Sequence, residues 1–151
     1  MERTSAVLFF ALLAAACQPA PERPSPAAAT SMGLAGTSWR LVEFQSMDDA
    51  QGTTRPADPT KYTIAFGADG RLSMQLDCNR GTGAWQAEPA GDGSGSISIG
   101  PVAATRMLCP PPSMGEKLAR DMESVRGYIV RDGRLSLSLM ADGGIYIWEK
   151  P

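Results

Sequence analysis

Two cysteines, two arginines and a few carboxylates are the residues here whose types and spacing could carry chemistry. Cys78 lies in Asp77-Cys78-Asn79-Arg80-Gly81-Thr82-Gly83, and Cys109 in Thr105-Arg106-Met107-Leu108-Cys109-Pro110. Each cysteine ends an apolar run beside an arginine and small turn residues. Histidine is absent from the chain. That removes the commonest zinc ligand, the usual general base and the Ser-His and Cys-His nucleophile pairs. Two thiolates alone fall short of a tetrahedral metal set, and no Cys-x-x-Cys is present for redox work. No metal or cofactor is therefore expected. Arg80 and Arg106, if they converge, offer a fork to a carboxylate or phosphate; the competing reading is internal pairing, with Asp77 or a backbone carbonyl as partner. Asp77, Glu43 and Glu88 are the acids a hydrolase could use, but no spacing fixes the separation of any two.

The compartment decides what the thiols do. Ala6 to Ala16 runs without a polar residue, too short to span a bilayer and suited to the apolar core of an export signal. Cys17 follows three alanines, an arrangement that resembles the bacterial lipoprotein signal, in which the cysteine is lipidated and becomes the first residue. Ala14 stands where that signal usually has leucine, with Leu13 one place earlier. Gln18, not aspartate, comes next, which by the same resemblance implies sorting to the outer membrane. Residues 1–16 are thus expected to be removed. Residues 17–33 are rich in proline and alanine and read as an extended tether reaching ~40–50 Å. Export places Cys78 and Cys109 in an oxidising compartment and leaves them an even pair. A disulfide would close a loop of about 30 residues and contribute ~3.5–4 kcal/mol; the alternative is two reduced, buried thiols.

These segments need a scaffold, and the pattern from residue 34 onward is that of one small β domain. Of 151 residues, 16 are glycine and 12 proline, which favours turns over long helices. The net charge of −2 supplies no basic footprint for nucleic acid. Thr37–Phe44 reads as a strand with apolar groups on both faces, one for a barrel interior and one for a helix or groove. Residues 62–66 and 71–76 form a hairpin about Gly67-Ala68-Asp69-Gly70. Ala84–Gln86 and Ser96–Ile99 read as short strands around a glycine-rich loop from Glu88 to Gly95. After three prolines, Ser113 and Glu116 fit a capping box opening a helix that faces the sheet with Met114, Leu118, Met122 and Val125. Residues 127–131 and 134–139 flank Asp132-Gly133, a strong hairpin signal, and 145–148 closes the domain. Asp69-Gly70-Arg71-Leu72-Ser73 recurs at 132–136, which either a duplication or shared turn chemistry explains. The expectation is a small antiparallel, partly open β-barrel of about eight short strands with one α-helix packed against it.

Leu76 to Trp85 and Thr105 to Pro110 together resemble the paired signatures of the META domain family, which includes the HslJ-like heat-shock lipoproteins. The helix and the final Gly-x-Leu-x-Leu hairpin agree, so the resemblance covers residues 34–151. It implies a mostly β domain with one helix, often on envelope lipoproteins and without an established catalytic activity. It marks Asn79, Arg80, Gly83, Trp85, Thr105, Arg106 and Met107 as the motif and as possible binding residues. The family usually has a large apolar residue two after the asparagine; Gly81 stands there, so that corner must pack differently or leave a gap. Asn79 is expected to take a left-handed turn conformation, and Gly81 and Gly83 to permit close approach.

Three readings of function follow. The first is a non-catalytic envelope lipoprotein, held to the membrane through Cys17, that binds or stabilises an envelope component, including under stress. The second is a carrier holding a small apolar ligand in the barrel interior, lined by Trp39, Tyr146 and Trp148. The third is a carboxylate-dependent hydrolase. The intact mass of the mature protein tests the address: it should show lipid on Cys17 and two fewer hydrogen atoms on the Cys78–Cys109 pair, whereas an unmodified Cys17 would contradict the anchor.

Overall fold

The computed structural model describes residues 33–151. The expected signal segment, Cys17 and nearly all of the tether lie outside the described residues. In chain order the elements are β1 (Thr37–Gln45), β2 (Thr53–Thr54), β3 (Tyr62–Phe66), β4 (Arg71–Leu76), β5 (Asn79–Gly91), β6 (Ser94–Ile99), β7 (Ala103–Ala104), α1 (Gly115–Asp121), β8 (Val125–Arg131), β9 (Arg134–Leu139) and β10 (Ile145–Glu149). Eight of the strands form an antiparallel ring in the order β1, β3, β4, β5, β6, β8, β9, β10, and β10 pairs back onto β1. The barrel with one helix is as expected, and its seam is closed. β2 and β7 are short additions, on β1 and β5 respectively.

Alternation along the strands explains the closure. Leu72, Met74 and Leu76 of β4 are buried while Arg71 and Ser73 are exposed. Ile97 and Ile99 of β6 point inward between exposed Ser96 and Ser98. Apolar inside and polar outside is the inverse of a membrane-spanning barrel, whose outer face must be apolar. The interior is filled by side chains, with Trp39, Phe66, Tyr146 and Trp148 among the largest. Each such aromatic removes ~150–250 Å² from water, on the order of 4–6 kcal/mol before the entropy of ordering is subtracted.

Four local expectations are corrected. β1 does not divide its apolar groups between two faces. A bulge between Leu41 and Glu43 shifts the register against β10, so Phe44 joins Trp39 and Leu41 inside. The stretch 88–95 is not a loop: β5 runs to Gly91, and Asp92-Gly93, both at positive φ, turn directly into β6. The capping box does not form. The cap position is Met114, whose amide donates to the Tyr62 hydroxyl at 3.1 Å, and Glu116 is exposed. Finally, Val125 is the first residue of β8 rather than part of the helix, though Leu118, Met122 and Val125 all bury completely as the stripe requires.

The ladder between β6 and β8 is brief, joining Ser94–Ser96 to Gly127–Ile129. α1 packs on β4, and the 3₁₀ turn after it (Met122–Ser124) packs on β6. Gly115 sets how closely α1 approaches. A Cβ there would sit 2.5 Å from the Leu76 carbonyl oxygen and 3.0 Å from its carbon. Gly115→Ala should therefore cost about 1–3 kcal/mol in urea unfolding, against less than about 0.5 kcal/mol for exposed Glu116→Ala. Equal midpoints for the two variants would contradict so close an approach.

Candidate functional site

The two cysteine segments are neighbours. Cys78 and Cys109 are disulfide-bonded with their Cα atoms 5.6 Å apart, inside the usual range for a bridge. Around the bridge the chain is held by one side chain above all. The Asn79 amide donates from Nδ2 to the Met107 carbonyl at 2.9 Å and to Cys109 Sγ at 3.2 Å. Its Oδ1 accepts from the Met107 N–H at 2.7 Å and from the Thr105 hydroxyl at 2.8 Å. A carboxamide that bonds both the N–H and the C=O of one residue stands in for a peptide unit of a neighbouring strand. The Thr105 hydroxyl in turn accepts from the Arg80 N–H at 3.0 Å, and the Thr105 N–H donates to the Arg80 carbonyl at 2.9 Å. Asn79 therefore extends the short β5–β7 ladder past the point where the backbone turns away.

This arrangement corrects the expected role of Asn79. The left-handed residue of the turn is Asp77, at φ 63°, and Asn79 is the first residue of β5. Asp77 is buried, and Lys61, at 3.5 Å, is its charge partner, so Asp77 does not pair with Arg80. Gly81 leaves no gap. A Cβ on it would lie 2.7 Å from Val102 Cγ1 and 2.9 Å from Leu76 Cδ1, so those two side chains fill the corner. At Gly83 the nearest atom to a Cβ would be the Pro101 carbonyl oxygen, 3.2 Å away. Trp85 is buried edge-on to Phe66 at 5.0 Å, and its indole N–H donates to the Gly67 carbonyl at 3.2 Å.

The two arginines do not converge on one site. Between the cysteine segment and α1 lies a cleft of about 870 Å³, in the range typical of ligand sites. Arg106 lines it together with Asn79, Val102, Ala104, Leu108 and Ala119; Arg80 is not part of its lining. Both guanidiniums are exposed, and neither has an acidic partner within 4.0 Å among the described residues. The cleft has mixed walls, with Glu116, Arg120 and Glu123 on the helix side, and an apolar lip. Leu108 is 99% exposed and Met107 64%. Leu108 was not marked by any sequence pattern, because a lone leucine in a motif reads as core.

A second cluster was also invisible in the sequence. The buried Tyr146 hydroxyl donates to Asp121 Oδ2 at 2.7 Å, and Lys117 pairs with the same carboxylate. The Lys117 ammonium stands 4.1 Å from the Phe44 ring centroid. Burial first, then the Asp121 bond and charge, push the Tyr146 phenol far above its ordinary range. It stays protonated and acts as a pin that fastens α1 to the barrel. The hydrolase candidates stand apart: Glu43 is engaged by Arg55 at 2.5 Å and by Gln45, Asp77 by Lys61, and Glu88 lies exposed on β5. Among the described residues no three Cys, Asp or Glu side chains gather as metal ligands do.

No room for an apolar ligand lies against the three interior aromatics expected to line it. A hollow wide enough for one water would expose part of its lining, yet Tyr146 and Trp148 expose none and Trp39 only 1%. The expected carrier site around these three residues is overturned by their complete burial.

The model of the META domain family matches residues 32–149. The chain belongs to the META domain family. A protein from Burkholderia xenovorans, solved by NMR, superposes on this META domain with a TM-score of 0.62 at 21% identity, over 92% of this chain and 99% of the other. A DUF4847 family protein from Bacteroides vulgatus, solved by crystallography, superposes with a TM-score of 0.52 at 16% identity, over 77% of this chain and 93% of the other. Identities this low establish likeness of fold. No curated protein matches the sequence at a significant level. In this META domain the paired motif is a clasp: bridge, carboxamide and threonine hold residues 105–109 as one wall of a cleft. Asn79→Asp removes the donor and sets a carboxylate against the Met107 carbonyl. It should cost about 1–3 kcal/mol in chemical unfolding with the disulfide intact; a change below about 0.3 kcal/mol would contradict the clasp.

Proposed function

We propose that this protein is a non-catalytic envelope lipoprotein whose META domain binds another envelope component through the cleft beside Arg106. The observation that carries the reading is the lip of that cleft. A leucine exposed at 99% and a methionine at 64% flank an arginine with no acidic partner within 4.0 Å among the described residues. Exposed apolar side chains beside an unpaired charge are what a recognition surface presents before its partner arrives. The packed interior leaves the outside of the barrel as the place where binding can occur. The sequence supports the setting. Cys17 is the lipid attachment point, Gln18 directs it to the outer membrane, and the proline-rich tether gives the domain a reach of ~40–50 Å into the periplasm. Holding a component in place there is a role that fits a stapled domain, including under envelope stress.

The test is chemical crosslinking in intact envelopes, with the adducts of the full chain read by mass spectrometry. Leu108→Asp and Arg106→Glu should each reduce the adducts about ten-fold. Arg134→Glu, a charge reversal on β9 outside the cleft, should leave them unchanged, and far-ultraviolet spectra should show all three variants folded. Adducts that persist in both cleft variants would place the binding surface elsewhere.

A further inference from the structure

β7 has one bonded edge and one open edge. The Thr105 N–H bonds the Arg80 carbonyl, which makes Arg80–Thr105 a hydrogen-bonded pair of the antiparallel ladder. Gly81–Ala104 is the next pair in register and is therefore the non-bonded kind. The N–H and C=O of Ala104 consequently point away from β5. They find no partner among the described residues, and neither does the N–H of Arg106. Met107 follows the other rule, with both its backbone groups turned back onto Asn79. Along residues 103–107 the backbone groups of the odd positions turn to β5 and Asn79, and those of the even positions turn to the open edge. The whole run from Val102 to Cys109 lines the cleft, so the open edge of β7 lies along it.

We propose that the occupant of the cleft is an extended peptide segment of a partner protein, added as a further strand to the open edge of β7, with an acidic side chain or a chain-terminal carboxylate on Arg106. This rests on the reading of the cleft as the binding surface. The chemistry selects a peptide. An open strand edge presents donors and acceptors at the spacing of another strand, and a lipid chain has nothing to answer them. Arg106 calls for an acid at its own position. The lining holds two cations and two carboxylates: Arg120 has Glu116 at 4.0 Å, and Arg106 on the β7 side and Glu123 on the helix side have no ion-pair partner within 4.0 Å among the described residues. A guanidinium binds a carboxylate through two parallel hydrogen bonds, which fixes the register of the incoming strand. Val102, Ala119 and Leu108 then meet the side chains that the added strand directs to either face.

Ala104→Pro isolates the edge. Proline lacks the N–H that points into the cleft and leaves the bonds of Ala103 and Thr105 to β5 in place, as edge prolines do. The probe is a phage library of random decapeptides, panned on the full-length chain in detergent micelles. Enriched peptides should carry Asp or Glu, or bind through a free carboxyl end. A synthetic copy of one should slow exchange of the Ala104 amide at least ten-fold. It should bind Ala104→Pro at least ten-fold more weakly than Ala104→Ser, and Arg106→Gln at least five-fold more weakly than wild type. Retained protection of the Thr105 amide in Ala104→Pro shows the β5–β7 ladder intact; should that variant unfold, Ala104 protection in the wild-type chain decides alone. Failure to enrich peptides, or peptides that leave Ala104 exchange unchanged, would overturn the strand addition. Envelope adducts that still depend on Leu108 and Arg106 would in that case keep the cleft as the surface, whereas loss of both results would remove the surface as well.

Discussion

One carboxamide decides what this molecule shows to its surroundings. Residues 105–109 leave the sheet after a two-residue strand and run toward three prolines, so the backbone ladder alone cannot hold them. Asn79 completes that ladder with its side chain, and the Cys78–Cys109 bridge fixes the far end. The two devices act at different levels. The covalent link restricts the unfolded chain, with an entropic worth that grows with the loop it closes. The hydrogen bonds act in the folded state, orienting the segment so that the backbone groups of its odd positions turn to β5 and Asn79. Without the second device, the first would tether a loop without giving it a direction.

Closure of the ring determines where function can reside. The β1–β10 pairing removes the sheet edges that an open barrel would leave, and the bulge in β1 turns Phe44 inward to fill the end under α1. The result is an interior occupied by its own aromatics, with no space against them to hold a guest. What remains are surfaces that the ring does not organise: the short β7 appended to β5, the segment that follows it, and the helix across from them. The cleft arises where the helix, brought close by Gly115 and pinned through Tyr146 and Asp121, stands opposite a wall that the clasp holds in place.

Much of the fold was legible because its signals are local. Alternation in 62–66, 71–76, 134–139 and 145–148, with Asp-Gly at 132–133, names strands and turns by chemistry confined to a few residues. The pairing of Cys78 with Cys109 was legible from an even count, given the expected export, and from the paired motif. The segment that recurs at 69–73 and 132–136 serves two different turns: the first joins β3 to β4 through four residues, the second joins β8 to β9 through two residues at positive φ. Asp92-Gly93 carried the same hairpin signal and was lost in a run of glycine and serine. The misses are of another kind. A bulge at Val42, a carboxamide acting as a strand, and a leucine turned to solvent all depend on partners distant in sequence. The separation of Arg80 from Arg106 is the clearest case, since adjacency to a shared bridge did not put both side chains in one cleft.

Residue-resolved amide hydrogen exchange of the free protein across 103–107 bears on all of this at once. Amides of Ala103, Thr105 and Met107 should exchange slowly, and those of Ala104 and Arg106 at nearly the rate of an unstructured chain. Equal protection at all five positions would mean that the outer edge is already covered, and equally fast exchange would mean that Asn79 does not hold the wall; either pattern contradicts the structure of the site described above.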